Sequence, residues 1–443
     1  MLVSLTLENW MSFRDPMKLS MVASRERQHS ARMPSFKKYD LRILPISAVY
    51  GPNASGKSNI VKAVQFVKYF VSFGVRHNEL IPVEPFRTQS NEVDLPTRFT
   101  FEIISEETIY EYSFSLNQKR VIDEKLVEIN SRSEKVLYQR DLGTFEFDKS
   151  FDKTAELHYV ARGTQDNQLF LTNSISQRVI TFKAVYDWFY STLVTVFPES
   201  RFEPLEQFID ENSDLVSSMN ELLPKFDCGV QRLTSKPTSL DELNIDESVK
   251  AQIRASVGEG SMVRMQLPHE RILFSRKDGE LIVEKLATVH LDAYGNEVIF
   301  DFSNESDGTQ RVIDLLPAII ELVKSDNGRV YVIDELDRSL HSVLSQGLIQ
   351  MYLSSCAGDT RSQLIFTTHD LHLMDQELFR RDELWLTERL LGGASSLTSI
   401  SAYRDIRYDK DIRKIYLEGK LGSVPFISQI AQLSNQREPE FIE

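Results

Sequence analysis

Cysteine is nearly missing from this chain: Cys228 and Cys356 are the two in 443 residues. That excludes a disulfide framework and a cysteine zinc site, and it fits a reducing compartment. No run approaches the roughly 20 uninterrupted apolar residues of a membrane span. The opening residues, MLVSLTLENWMSFRDPMKLS, alternate and carry charge instead of building a secretory apolar core. A cytoplasmic protein with no membrane partner is therefore expected. Positive charge is in the minority, 51 Lys+Arg against 65 Asp+Glu for a net charge of -14. This argues against a protein that coats itself in nucleic acid, while leaving room for a local basic groove. There is no sustained heptad, internal repeat or low-complexity tract, so a long coiled-coil arm is excluded. What remains is ordinary globular material, 41% hydrophobic and 26% charged, long enough for a large core and two or three domains' worth of chain.

Leu2 to Leu7 alternates as a strand, and Ile43 to Tyr50 (ILPISAVY) is apolar enough for a strand buried on both faces. Between them, Arg25 to Arg42 holds Arg25, Arg27, Arg32, Lys37, Lys38 and Arg42 against Glu26 and Asp40, with the Ser, Pro and His content of a loop. After Ser58, the spacing of Ile60, Val61, Val64, Val67 and Phe70 predicts a helix with one apolar face. Pro96 to Arg140 is a series of β-branched and aromatic runs with polar breaks, the pattern of an antiparallel meander. From Ile175 to Val257 the pattern turns helical; in VITFKAVYDWFYSTLVTVF, Phe182, Val185, Phe189, Leu193 and Val196 recur at spacings of three and four. Strand-like text returns in RILFSRK, LIVEKL and EVIFDF, then in YVIDEL and LIFTTH as two more buried strands.

Gly51-Pro52-Asn53-Ala54-Ser55-Gly56-Lys57-Ser58 matches G-x-x-x-x-G-K-[ST] between a predicted strand and a predicted helix, the context that gives such a match meaning. Glycines let successive backbone N–H groups converge on phosphate oxygens, and the helix that begins there, through Asn59, adds its positive end. Lys57 is expected to bridge the β- and γ-phosphates of ATP, and the Ser58 hydroxyl to complete a Mg2+ shell. Tyr331-Val332-Ile333-Asp334-Glu335 is an apolar strand ending in two acids. Asp334 is the candidate to hold Mg2+ through water, and Glu335 the candidate to orient and polarise the attacking water. Lys57 and Asp334 stand 277 positions apart, too far for a compact kinase or small GTPase, so something is inserted between them. His369 ends the apolar run LIFTTH beside this site and is a further catalytic candidate.

Together these motifs resemble the ATP-binding-cassette ATPases of the SMC, RecF and OLD branch, and more narrowly the RloA-like or AbiL-like AAA-family ATPases of bacterial phage-resistance loci. The resemblance runs over nearly the whole chain. LTLENWMSF is similar to the first strand of that branch, and Glu305-Ser306-Asp307-Gly308-Thr309-Gln310-Arg311 resembles its degenerate signature motif. Asp337-Arg338-Ser339-Leu340-His341 is similar to the D-loop, with Asp337 and Ser339 as its polar members, and His369 falls where the switch histidine belongs. The resemblance implies ATP sandwiched between two protomers, with Ser306, Gly308 and Thr309 meeting the γ-phosphate bound at Lys57 of the partner subunit. Hydrolysis then requires a homodimer or a higher homo-oligomer. Gln168 and Gln177 are candidates for the metal-sensing Q-loop glutamine, and Gln65 is expected at the surface.

The fold implied is α/β: an ABC-type P-loop ATPase with a mixed sheet, an antiparallel β subdomain and a helical insertion. The expected divisions are 1–175 for the first part of the ATPase domain, 176–260 for the helical insertion, and 261–443 for the remainder with a C-terminal tail. SMC proteins have long coiled coils where this chain has a short insertion, and OLD nucleases carry a TOPRIM domain where only 74 residues follow His369. Any nuclease is thus expected in trans. The functional expectation is an ATP-hydrolysing switch of an anti-phage defence system that controls a nuclease or toxin effector encoded nearby, as in PARIS or Septu. The alternative is a RecF- or SMC-like ATP-dependent DNA clamp in repair, for which the basic 25–42 segment would supply DNA contacts. The tail Arg404 to Pro425 is a candidate docking surface.

Overall fold

The computed structural model describes residues 1–87, 95–200, 214–267, 270–324, 328–403 and 411–422. From the N-terminus, β1 (Leu2–Glu8) and β2 (Met17–Ser20) form a hairpin, β3 (Ser35–Phe36) and β4 (Leu41–Arg42) a small ribbon, and β5 (Ile46–Tyr50) leads through a glycine-rich loop into α1 (Lys57–Phe73). The meander follows as β6 (Thr97–Ser105), β7 (Thr108–Leu116), β8 (Val121–Ile129), β9 (Glu134–Asp141) and β10 (Thr144–Phe147). Then come α2 (Ala155–Gly163), α3 (Phe170–Ser176), α4 (Lys183–Asp187), a π-helical turn (Trp188–Thr192) and β11 (Leu193–Val196). Next are α5 (Asp214–Leu222), β12 (Arg232–Thr238), α6 (Glu247–Ser256), β13 (Met262–Leu267), β14 (Glu270–Lys277), β15 (Glu280–Leu291), β16 (Glu297–Asp301) and α7 (Asp307–Val323). The chain ends with β17 (Val330–Ile333), α8 (Ser342–Ser355), β18 (Gln363–Thr367), β19 (Leu384–Arg389), β20 (Ser395–Ser399) and α9 (Ile412–Leu417). Of the tail 404–425, residues 404–410 and 423–425 lie outside the described residues.

Two compact units result, one of residues 1–195, 328–336 and 356–443, the other of 196–327 and 337–355. In the first, a seven-stranded antiparallel sheet runs β10-β9-β8-β7-β6-β1-β2, and a six-stranded sheet runs β11-β17-β18-β5-β19-β20. In the six-stranded sheet β17, β18, β5 and β19 are parallel, and β20 closes the edge antiparallel to β19. The expected α/β class with a mixed sheet and an antiparallel layer is thus observed. Helix α1 buries Ile60, Val61, Val64, Val67 and Phe70 as its spacing predicts. Its Phe66 and Phe70 meet the antiparallel sheet, with ring centroids 5.5 Å from Phe99 and 6.1 Å from Phe114. Full burial of a ring such as Phe70 contributes on the order of 1.5–3 kcal/mol. Gln363, fully buried, links strands of both sheets: its side chain accepts from Leu2 N and donates to the carbonyls of Leu2 and Leu44.

The run VITFKAVYDWFYSTLVTVF is only partly the helix its spacing predicts. Only Lys183–Asp187 is α-helical, and the π-helical turn that follows sets Phe189 against Phe101 at 5.3 Å. Leu193 and Val196 belong to β11 instead of a helix face. The β-branched run Val194-Thr195-Val196 suits a pleated strand, and pairing at the edge of the six-stranded sheet satisfies backbone groups that a frayed helix end would leave open. Further on, 176–260 carries helices α5 and α6 and also strand β12.

A buried carboxylate organises the antiparallel sheet of the first unit. Glu124 on β8 accepts from the hydroxyls of Tyr112 (2.9 Å) and Tyr138 (2.8 Å) and from the backbone N–H groups of Phe170 (2.6 Å) and Leu171 (3.0 Å). The buried guanidinium of Arg140 stands 3.9 Å away. Burial and the Glu124 charge push both tyrosines well above their ordinary range. Glu124→Ala would leave a buried cation and several donors unpaired, so a loss of about 3–5 kcal/mol is expected. Denaturant unfolding midpoints check this, with Glu124→Gln, which keeps an acceptor, losing less.

The second unit is built on a five-stranded antiparallel sheet, β12-β15-β14-β13, with β16 also pairing to β15. Leu240, Leu243, Ile253 and Val257 pack on Ile272, Phe274 and Val283 to form its core.

Candidate active site

The phosphate loop follows from where β5 ends. All five residues of that strand are buried, so the chain must leave the sheet abruptly. Gly51 (φ +154°), Ala54 (φ +61°) and Gly56 (φ +109°) make the turn, all at positive φ. A β-carbon on Gly51 would come within 2.5 Å of the Thr387 carbonyl and 2.7 Å of Ser55 Oγ. One on Gly56 would come within 2.6 Å of Ser395 Oγ and 2.9 Å of Ser12 Oγ. Only glycine fits either place. Such alternation turns successive N–H groups to one side, a concavity suited to an anion, and α1 starts directly behind it. Lys57, the first residue of α1, is 6% exposed and donates from Nζ to the carbonyls of Gly51 (2.7 Å) and Pro52 (3.1 Å).

The loop is fastened by residues that no local motif marks. Ser55 and Thr387 share a hydrogen bond of 2.5 Å, and the Thr387 hydroxyl reaches the Tyr50 carbonyl at 3.1 Å. Asn59 donates to Ser12 Oγ at 2.8 Å, and its carbonyl accepts from the Trp10 indole at 2.8 Å. Ser395 N donates to the Ser12 carbonyl at 2.6 Å. Strand β19, strand β20 and the β1–β2 turn therefore all brace the cradle.

The acids arrive from the neighbouring parallel strands. β18 lies between β5 and β17, and all three end on the same side, the edge of an α/β sheet where ligands collect. Thr367, the last residue of β18, donates from Oγ1 to Asp334 Oδ1 at 2.6 Å and accepts from Glu335 N at 2.8 Å. Asp334 is 3% exposed. Glu335 holds a left-handed φ of +47°, a strained geometry for a residue with a side chain, and its carboxylate is one-third exposed. His369 Nε2 stands 3.9 Å from Glu335 Oε1. A cleft of about 710 Å³ is lined by Asn53 to Asn59, Glu335 and His369 together with Met11, Ser12, Phe86, Arg87, Arg389 and Gly393. That volume suits a nucleotide-sized ligand.

Of the expected site residues, the structure brings Asn53, Ala54, Ser55, Gly56, Lys57, Ser58, Asn59, Glu335 and His369 to one cleft, with Gly51 and Pro52 behind the lysine and Asp334 beneath Thr367. Arg87 and Arg389 join them with no signal in their own surroundings in sequence. Among the described residues no group of three His, Cys, Asp or Glu side chains could hold a metal ion. The Ser58 hydroxyl in the cleft and the buried Asp334 carboxylate are oxygen donors of the kind that could take part in holding Mg2+.

Ser306, Gly308 and Thr309 lie in the second unit at the start of α7. Ser306 caps the helix, its Oγ accepting from Thr309 N at 3.1 Å. A β-carbon on Gly308 would sit 2.8 Å from the carbonyl of Ser339, so the loop before α8 presses on the start of α7. Ser339 itself has φ +61°, and Asp337 O accepts from Leu340 N at 3.0 Å. The candidate glutamines are elsewhere. Gln168 holds Arg140 through its carbonyl, Gln177 caps α3, and Gln65 is exposed on α1.

The basic segment is partly consumed in folding. Arg32 pairs with Glu383 at 2.5 Å and donates to the Leu378 carbonyl at 2.9 Å. Arg381 pairs with Glu26 at 2.5 Å, and Arg380 reaches the carbonyls of Glu26 and Gln28. Burial pushes the Glu383 carboxyl up to about 7, against the pull of Arg32. Arg25, Arg27, Lys37, Lys38 and Arg42 remain exposed.

A glycine-rich loop between a buried strand and a helix, with paired acids at the end of a strand two places away, defines a P-loop nucleotide-binding protein of the α/β class. The chain belongs to the family described as "AAA domain, putative AbiEii toxin, Type IV TA system", which matches residues 46–375. Among solved structures it is similar to the SMC head domain from Thermotoga maritima, at 13% identity with a TM-score of 0.36, covering 90% of this chain and 98% of that one. It is similar also to an SMC head bound to the C-terminal winged-helix domain of ScpA, at 12% identity and a TM-score of 0.36, covering 90% and 97%. No curated protein matches the sequence. Among the described residues no helix is long and apolar enough to cross a membrane.

Proposed function

We propose that this protein is an ATP-hydrolysing dimeric switch of a bacterial anti-phage defence system, and that its closing and opening control a nuclease or toxin encoded nearby. The observation that carries the reading is the convergence of Lys57, Ser58, Glu335 and His369 on one cleft. The backbone N–H groups of 53–58 and the α1 N-terminus bind phosphate oxygens, and Lys57 swings from the Gly51 and Pro52 carbonyls to the β- and γ-phosphates. Ser58 and Asp334 would hold Mg2+, which would supply charge neutralisation on the phosphates. Glu335 accepts a hydrogen bond from the attacking water and turns its lone pair toward the γ-phosphorus. His369, beside Glu335, contacts the γ-phosphate once the site is closed. Ser306, Gly308 and Thr309, at the positive end of α7, meet the γ-phosphate held by a second copy, with Asp337 and Ser339 at the same junction. The toxin in the family description supports an effector as the recipient of this motion.

Complementation tests the dimer. Lys57→Ala and Ser306→Ala are each expected to hydrolyse ATP poorly alone, whereas a mixture recovers activity, because one of the two composite sites then has an intact loop and an intact signature. A mixture as inactive as its components, with no ATP-dependent gain of mass by light scattering, would sink the reading. The exposed cations Arg25, Arg27, Lys37, Lys38 and Arg42 favour the second reading, a DNA clamp. It replaces the first if mass is gained only with duplex DNA, in a steeply salt-dependent manner.

A further inference from the structure

We infer that Glu305, immediately before the signature segment, is a positioning residue for ATP hydrolysis, held in place by Thr288 and His290 of β15. The inference rests on reading 306–309 as the signature. The Glu305 side chain is 8% exposed, and its Oε1 accepts from Thr288 Oγ1 and from His290 Nε2, the latter at 2.7 Å. Its carbonyl accepts from Gln310 Nε2 at 3.0 Å, and its N–H donates to the Phe302 carbonyl at 3.2 Å. His290 cannot easily swing away. Its ring packs edge-on against Phe300 of β16 at 4.8 Å, and a β-carbon on Gly229 would lie 3.3 Å from Nδ1. One helical turn beyond the signature, Asp314 of α7 pairs with Arg271 of β14, whose guanidinium lies over the Phe302 ring at 4.5 Å. Neighbouring strands of one sheet therefore grip the signature segment on both sides.

The chemistry gives the grip a purpose. A carboxylate next to a segment that must receive a γ-phosphate repels it, unless that carboxylate is turned away and neutralised. Thr288 and His290 turn it into the sheet, so that it does not add to the exposed carboxylate of Asp307 in the first turn of α7. Donors to a developing anion act over a few tenths of an ångström, and a misplacement of about 1 Å costs on the order of a hundredfold in rate. Glu305 thus fixes where Ser306 and Gly308 sit, and binding of nucleotide to the loop at Lys57 does not depend on it.

Glu305→Ala is expected to lower ATP turnover on the order of 10- to 100-fold, with ATP affinity at the P-loop within about twofold of wild type because no contact there changes. Glu305→Gln, which keeps an acceptor for the same two donors, should retain most of the turnover. Mixing Glu305→Ala with Lys57→Ala should restore hydrolysis, which a misfolded variant could not do. The paired change Thr288→Val with His290→Ala frees the carboxylate from the other side and should reproduce the loss. Wild-type turnover by Glu305→Ala, or a Glu305→Gln as impaired as the alanine variant, overturns the inference. If Ser306→Ala complements Lys57→Ala while Glu305→Ala turns over normally, only this inference fails; if Ser306→Ala does not complement, the dimeric reading fails with it.

Discussion

Glu335→Gln is expected to cut ATP hydrolysis by about 10²- to 10⁴-fold, the usual worth of a positioned general base, while ATP binding persists. The amide is nearly isosteric with the carboxylate, and the backbone at 335 is held independently by the hydrogen bond from its N–H to Thr367 Oγ1. Asp334, which takes the hydroxyl proton of the same threonine, is untouched, so the metal donor set survives. What disappears is the acceptor for the proton of the attacking water. With binding intact and turnover stopped, ATP-loaded closed dimers should accumulate. Light scattering with ATP and Mg2+ reads the dimer, and phosphate release reads the chemistry. Loss of ATP binding in this variant would place Glu335 in the loop's architecture rather than in the reaction.

Lys57→Ala should act at the opposite end of the cycle. An ammonium that serves phosphate oxygens contributes about 1.5–3 kcal/mol per charged hydrogen bond, so losing two implies a fall in ATP affinity of at least about a hundredfold. In the structure this ammonium donates to two carbonyl oxygens of its own loop, Gly51 and Pro52. Alanine is a good residue at a helix start, so α1 should remain folded, which circular dichroism can verify. Titration with a fluorescent ATP analogue measures the affinity. Binding within a few-fold of wild type would mean that the backbone cradle alone holds the nucleotide and that Lys57 serves the transition state.

The part of the site legible in the sequence is the part carried by contiguous chemistry. The segment 51–58 declares itself because a turn at positive φ, a cradle of N–H groups and a helix start must all occur within eight residues. Asp334 and Glu335 become legible only beside that loop, since an apolar strand ending in two acids is common by itself. Arg87, Arg389, Thr387, Ser395 and Ser12 have no such signature: each is an ordinary residue whose role comes from what lies opposite it. The Leu193–Val196 strand was hidden for a related reason, since spacings of three and four fit both a helix face and chance, and the sheet edge beside β17 decided between them.

By itself, then, the amino-acid order determined the phosphate loop and marked the buried strands that end in Asp334-Glu335 and in His369, because each of these patterns lies within a few residues of chain. Tertiary structure alone decided that β18 lies between β5 and β17, so that Thr367 can hold Asp334 and Glu335 at once. It alone decided that Arg32 would be paired with Glu383 rather than offered to DNA, and that Glu305 would be turned into a sheet by Thr288 and His290. These are choices of register and strand order between segments tens to hundreds of residues apart, fixed by complementary burial and hydrogen bonding that no local pattern encodes.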